Sequence, residues 1–253
     1  MEKSFKGSLS PFVMEMVQAR TPSAAQSKIE NAIADGATAI GLQLHFLPRE
    51  TRTPEVLRKI FETAQDKPVY VTNYRGGANV GMSDEDLTDE LLVALRSGAT
   101  LVDVMGDCFH KSEDELATDE KAIEKQMRYI DEVHSLGGEV LMSSHVHKFC
   151  HADRVLEMAL EHQRRGADVV KIVTGGHTQE EELKNLEICA LLKKELKVPF
   201  LFLSTGTHVQ LHRLVGPALG VCAWLGFREY DETTYAGPPL LKDILQVKQG
   251  LKL

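Results

Sequence analysis

Two rhythms alternate along the chain. Short apolar runs bounded by turn residues occur at "FVMEMVQ" (12–18), "TAIGLQL" (38–44), "PVYVTNY" (68–74) and "TLVDVM" (100–105). They continue at "EVLMSS" (139–144), "DVVKIV" (168–173), "PFLFLS" (199–204) and "VCAWLGF" (221–227). Runs this short and apolar on both faces predict parallel strands covered on both sides. Longer segments with apolar residues at helical spacing lie between them. "TPSAAQSKIENAIADG" and "TPEVLRKIFETAQ" each open on a threonine cap followed by proline, Thr21–Pro22 and Thr53–Pro54. In "SDEDLTDELLVALRSG" Ser83 caps, acids fill the first turn and Gly98 ends the helix. "TDEKAIEKQMRYIDEVHSLGG", "HADRVLEMALEHQRRG" and "TQEEELKNLEICALLKKEL" follow the same grammar. A shorter helix is predicted in "HVQLHRLVGPALG" and a last one in "PPLLKDILQVKQ".

Strict alternation with eight strands predicts an α/β fold, a single (β/α)8 TIM barrel spanning residues 1–253. A doubly wound sheet is the alternative, but GxGxxG after the first strand is missing. "DGATAI", "SGATLV" and "RGADVV" repeat a Gly-Ala junction between helix and strand, at irregular intervals that argue against a solenoid.

Barrel chemistry gathers at the carboxyl ends of the strands. Asn73, Tyr74, Arg75, Ser143, Ser144, His145, His147, Ser204 and Thr205 fall there, and Arg213 opens the next helix. Lys171 interrupts the apolar run on strand six. One reading is an edge strand or a lysine whose stem snorkels to water. The other is a desolvated amine poised to attack a carbonyl. A histidine such as His145 can move the proton next to the resulting imine, and an arginine such as Arg213 can grip a carboxylate.

Charge narrows the field. The formal net charge is −8 with no basic stripe, which argues against a nucleic-acid partner. No apolar run approaches the ~20 residues that cross a bilayer, and "MEKSFKGSLSPF" lacks a signal-peptide core. Cys108, Cys150, Cys189 and Cys222 are scattered, so the expectation is reduced thiols in a cytoplasmic protein.

"MSSHVHKF", "GADVVKI", "LHRLVG" and "TTYAGPP" together resemble the type I 3-dehydroquinate dehydratases, from the second strand to the C-terminus. The resemblance implies a Schiff base at Lys171, with no cofactor beyond that covalent imine, and a proton shuttle at His145. It implies that Arg213 binds the substrate carboxylate, Arg75 meets substrate hydroxyls and Thr234 stands for a serine of the closing loop. It also suggests a homodimer acting on a small-molecule keto acid.

The departures are concentrated in the shell that binds hydroxyls. Gly41 and Gln43 stand where the family has a glutamate and an arginine, and Asn79 and Val146 where acids support the histidine. Met105 replaces a glutamate, and Pro238 a loop glutamine. The expectation is a dehydratase acting on 3-dehydroquinate or a related cyclic β-hydroxy keto acid. A class I aldolase and a catalytically silent carboxylate-binding barrel are the alternatives.

Other features have plainer readings. His45, His110, His147, His177 and His208 share the rim with His145, but their spacing fits no strong zinc signature. Glu15 and Asp103 are candidate inward acids, as suited to filling the barrel as to catalysis. "VTGGH" before a helix could cradle a phosphate, a weak signal with two glycines. Trp224 reads as packing.

Overall fold

The computed structural model describes residues 3–8, 10–234 and 237–253. Among these described residues, eight parallel strands alternate with eight α-helices. The strands are β1 (Phe12–Val17), β2 (Ala39–Gln43), β3 (Val69–Thr72), β4 (Leu101–Met105), β5 (Glu139–His145), β6 (Val169–Gly175), β7 (Phe200–Thr205) and β8 (Ala223–Gly226). The helices are α1 (Pro22–Ala34), α2 (Pro54–Glu62), α3 (Asp84–Arg96), α4 (Glu120–Ser135), α5 (Ala152–Arg164), α6 (Gln179–Glu195), α7 (Gln210–Val215) and α8 (Leu241–Leu251). The sheet runs β7-β6-β5-β4-β3-β2-β1-β8. Cys222 N–H, just before β8, donates to Phe200 O on β7 at 2.9 Å, so the barrel is nearly closed. The predicted TIM barrel is the observed fold. None of the described helices is long and apolar enough to cross a membrane.

Local chemistry explains the boundaries. Thr21, Thr53 and Thr178 accept hydrogen bonds from the third residue beyond them, and Ser83 forms a capping box with Asp86. Asp119, one residue after the threonine that opens the predicted segment, caps α4.

The Gly-Ala repeat has a structural meaning. Gly36, Gly98 and Gly166 take φ of 105°, 115° and 104°, the left-handed conformation that closes a helix. The following alanine N–H reaches back five residues, Ala37 to Ala32 O, Ala99 to Ala94 O and Ala167 to His162 O. The next side chain then fastens the preceding strand. Thr38 accepts from Val13 N–H, Thr100 from Val69 N–H and Asp168 from Val140 N–H. Each repeat therefore ends a helix and pins the start of the neighbouring strand in one move.

The two glycines of "VTGGH" serve chain packing. A Cβ on Gly175 would lie 2.7 Å from Lys148 C, and one on Gly176 would lie 2.6 Å from His208 O. Their bareness lets the neighbouring loops approach the end of β6.

Candidate active site

Alternation along β6 turns Lys171 and Val173 into the barrel, and both line a cavity of about 380 Å³ at the carboxyl ends of the strands. Lys171 is 4% exposed, so its charge needs compensation inside the protein. Its Nζ lies 2.5 Å from Tyr74 Oη, 3.2 Å from Tyr70 Oη and 3.2 Å from Asp103 Oδ2. An ammonium has three N–H donors, and each has an acceptor here. β6 is paired with β5 on one side and β7 on the other, so it is not an edge strand, and the Lys171 amine lies in a buried ion pair. Pairing sets the height: Ser143 on β5 stands opposite Lys171.

Asp103 holds the cluster together. Its Oδ1 accepts from Ser143 Oγ at 2.5 Å, while Oδ2 accepts from Tyr74 Oη at 2.5 Å and from Tyr70 Oη. Burial pushes its carboxyl up, but the Lys171 charge, the His145 charge and these hydrogen bonds outweigh it and hold it below the ordinary range. Burial and the Asp103 charge push the Tyr70 and Tyr74 hydroxyls well above their usual range, so both stay protonated.

His145 ends β5 with its ring edge-on to Tyr74, centroids 5.0 Å apart. Its Nδ1 lies 2.7 Å from Glu115 Oε2, which also accepts the His145 backbone N–H at 2.8 Å. Nε2 is then the nitrogen available to the cavity. Sequence reasoning expects His145 to lack an acid, because Asn79 and Val146 occupy the supporting positions. The loop between β4 and α4 supplies one instead. Glu115 adopts φ of 46°, an unusual conformation for a side-chain-bearing residue, and its carbonyl accepts from Ser144 Oγ at 2.7 Å. Burial pushes its carboxyl up, but the His145 hydrogen bond and charge win and lower it. The one signal in sequence is the acidic run "EDE" (113–115) after strand four.

The other expected site residues separate into two groups. Arg213 and Gln43 line the cavity. Arg213 is buried, and its Nε donates to Ser204 O at 2.7 Å, which fixes the guanidinium at the mouth of β7. Arg75, Asn79 and Thr234 are not on the cavity wall. Arg75 is held between Asp84 at 2.7 Å and Asp107 at 2.8 Å, which turns it away from the cavity. Asn79 is buried, accepting from Arg52 and donating to Asn73 and the Tyr74 carbonyl. Thr234 bonds with Asp231 in a turn of its own loop. Within the motif "TTYAGPP", Tyr235 and Ala236 lie outside the described residues.

The β1–β2 side of the cavity is uncharged. A Cβ on Gly41 would lie 2.4 Å from Met16 Sδ, so methionine occupies the space beside it. Gln18 donates to Gln43, and the Gln18 Oε1 is buried without a hydrogen-bond partner. His45 lines the same wall at 8% exposure, with its Nδ1 likewise unpartnered. Burial first, then the Arg52 and Lys171 charges, push this imidazole down to about 4, so it is neutral at physiological pH. Met105 is buried away from the cavity wall.

Glu15 points the other way. Met16 faces the cavity, so Glu15 faces the helix layer, and the expectation of an inward acid is corrected by that parity. Burial pushes its carboxyl up to about 8. Among the described residues, no group of three or more His, Cys, Asp or Glu side chains could hold a metal ion.

The type I 3-dehydroquinase family profile matches residues 15–248. A search of curated proteins by sequence found no significant match. The 3-dehydroquinate dehydratase from Geobacillus kaustophilus superposes with a TM-score of 0.82 at 18% identity, covering 99% of this chain and 96% of that one. The type I enzyme from Clostridium difficile, with covalent modified comenic acid, gives 0.79 at 18% identity over 97% and 94% of the two chains. The Enterococcus faecalis 3-dehydroquinate dehydratase gives 0.79 at 14% identity, covering 99% of each. At these identities the superpositions establish the shared fold.

Proposed function

Because the chain belongs to the type I 3-dehydroquinase family, we propose that it is a hydro-lyase working through a Lys171 imine. The observation that carries the reading is the convergence of buried Lys171 and Arg213 and half-buried His145 on one cavity. In this mechanism Arg213 takes the carboxylate of a cyclic β-hydroxy keto acid, and Lys171 Nζ condenses with its ketone. The protonated imine is an electron sink that acidifies the neighbouring carbon. His145 Nε2 removes that proton and returns it to the departing hydroxyl, and Glu115 stabilises the imidazolium between the two steps. Hydrolysis releases an enone acid and restores the lysine. The covalent imine supplies the electrophile, so the reading invokes no separate cofactor.

The substrate is a keto acid with fewer hydroxyls than 3-dehydroquinate. Met16, Phe46, Leu225 and Phe227 give the cavity an apolar wall, and Arg75 is committed to two aspartates. Gln18, Gln43 and the neutral His45 are the uncharged polar side chains on that part of the wall that could meet a polar substituent. Each hydroxyl left without a partner costs ~1–3 kcal/mol on burial. Two such losses, ~2–6 kcal/mol together, would lower kcat/KM for 3-dehydroquinate by roughly 30- to 25,000-fold relative to the preferred substrate.

Supplying 3-dehydroquinate and a panel of less hydroxylated cyclic keto acids tests the reading through the ultraviolet absorbance of the enone. Enone formation supports a dehydratase. Carbon–carbon cleavage products would instead establish a class I aldolase, and a thermal shift without turnover a silent binder. The reading also carries a cytoplasmic homodimer, which light scattering tests at the level of assembly.

A further inference from the structure

We propose that Tyr74 is a catalytic acid–base residue for making and breaking the imine, acting alongside the His145 pair. This rests on the Lys171 imine described above.

Three groups accept from Lys171, and only one of them also reaches the ligand space. Tyr74 lines the cavity, whereas Tyr70 and Asp103 lie beneath it, 0% and 2% exposed. A ketone approaching Lys171 must therefore bring its oxygen past Tyr74, whose Oη is 2.5 Å from Nζ. Behind that hydroxyl, Asp103 Oδ2 is also 2.5 Å away. The Tyr74 oxygen is thus a bridge between a buried carboxylate and the place where a carbonyl oxygen becomes a leaving group. The ring packs against those of His45 and His145, centroids 5.5 Å and 5.0 Å away. A hydroxyl on a ring packed in this way is preorganised for proton transfer.

The proton count closes without an outside reagent. The Lys171 ammonium first passes a proton to Asp103, freeing the lone pair that forms the carbon–nitrogen bond. Tyr74 gives its proton to the carbonyl oxygen, and the Asp103 proton refills Tyr74. A second nitrogen proton then follows the same path to the carbinol oxygen. The carbon–oxygen bond breaks, water departs, and the nitrogen lone pair completes the protonated imine. Of the three ammonium protons, two leave in the water and one stays on the imine. Tyr74 and Asp103 end as they began, and hydrolysis reverses the sequence.

Two proton circuits therefore meet at the cavity. Lys171, Tyr74 and Asp103 carry protons between nitrogen and carbonyl oxygen, and His145 with Glu115 carries those of the carbon and the departing hydroxyl and stands beside the first circuit. The ring contact between Tyr74 and His145 marks where they touch.

The test compares Tyr74→Phe with Tyr70→Phe in the full-length protein. Each removes one hydroxyl acceptor from Lys171, but only the first removes it from the cavity wall. Imine formation is followed by rapid quench with borohydride, using 3-dehydroquinate and levulinate as probes, across pH 5 to 9. Tyr74→Phe is expected to slow adduct formation by ~10²-fold, with the adduct still on Lys171 at long times and probe affinity changed less than severalfold. The slowing should hold across this pH range, because the Tyr74 hydroxyl, held well above the usual tyrosine range by burial and the Asp103 charge, stays protonated throughout it. Tyr70→Phe should slow the step at least tenfold less. Equal slowing in the two variants, or no slowing in Tyr74→Phe, would overturn the proposal by leaving Tyr74 a merely structural acceptor. If wild-type protein traps neither probe, the imine mechanism itself fails, an outcome separate from failure of the Tyr74 role.

Discussion

The two sides of the cavity are built on different physical terms. On the β3–β6 side, ionisable groups are paired: Lys171 is buried against Asp103, with Tyr70 and Tyr74 completing their hydrogen bonds, and half-buried His145 is paired with Glu115. On the β1–β2 and β7–β8 side, Met16, Gln18, Gln43, Leu203, Leu225 and Phe227 are uncharged, and Arg213 at the mouth provides the one formal charge among the described residues of that wall. A buried charge is held in place by its partner, and losing either leaves the other uncompensated. An apolar or amide wall can change at the cost of packing and hydrogen bonds alone. The first side is suited to moving protons and the second to choosing what enters.

That contrast sets the order of expected effects. Lys171→Ala should abolish turnover and also strand Asp103, lowering stability by about 3–5 kcal/mol in a denaturant titration. The paired change Lys171→Met with Asp103→Asn should recover much of that stability and none of the activity. A stable, inactive Lys171→Ala would show that the ion pair contributes little to folding.

Glu115→Gln should lower kcat by about 10- to 100-fold, because the histidine loses its charged support while its ring can stay in place. Asn79→Glu, the substitution suggested by resemblance alone, should bring no gain, since Asn79 faces Arg52 and the Tyr74 carbonyl rather than His145. Steady-state kinetics across pH separates the two. A rise with Asn79→Glu would give the histidine a different supporter from the one seen here.

On the selecting side, Gln43→Arg should favour more heavily hydroxylated keto acids, by about tenfold in relative kcat/KM, because it restores a donor fork to an uncharged wall. Competition assays measure that ratio. An unchanged ratio would remove Gln43 from the specificity account.

The last effect lies outside the cavity and leaves activity untouched. Glu15 has its carboxyl raised to about 8 from an ordinary 4.5, so the folded state holds its proton more tightly than the unfolded chain. Its contribution is fully present below pH ~4.5 and declines as pH rises through about 8. Each pKa unit corresponds to about 1.4 kcal/mol, so Glu15→Gln should raise the Tm at pH 8 by several degrees more than at pH 5. Equal shifts at both pH values would contradict the buried protonated acid.

How much of this the sequence carried depended on distance along the chain. The strands were legible because eight apolar runs stand between well-capped amphipathic segments, and Lys171 stood out because it breaks one of those runs. The Gly-Ala repeat was visible too, but its clamp on the neighbouring strand requires the register. Glu15 and Asp103 look alike as acids within apolar runs. Strand parity sends one to the helix layer and the other beneath Lys171. Glu115 was hidden for another reason. It sits in an aperiodic loop, and nothing local ties it to a histidine thirty residues later. The capture of Arg75 by Asp84 and Asp107 is likewise a tertiary event, which a match to a family position does not report.

The central claim is that Lys171 forms a covalent imine with a keto acid in this cavity. Incubating the intact protein with 3-dehydroquinate and a less hydroxylated cyclic keto acid, adding borohydride, and mapping the peptides by mass spectrometry tests it directly. The account predicts a reduced adduct on Lys171 alone, formed faster with the less hydroxylated acid and absent from Lys171→Ala. Turnover of either acid with no adduct on Lys171, or with the adduct on another lysine, would contradict it.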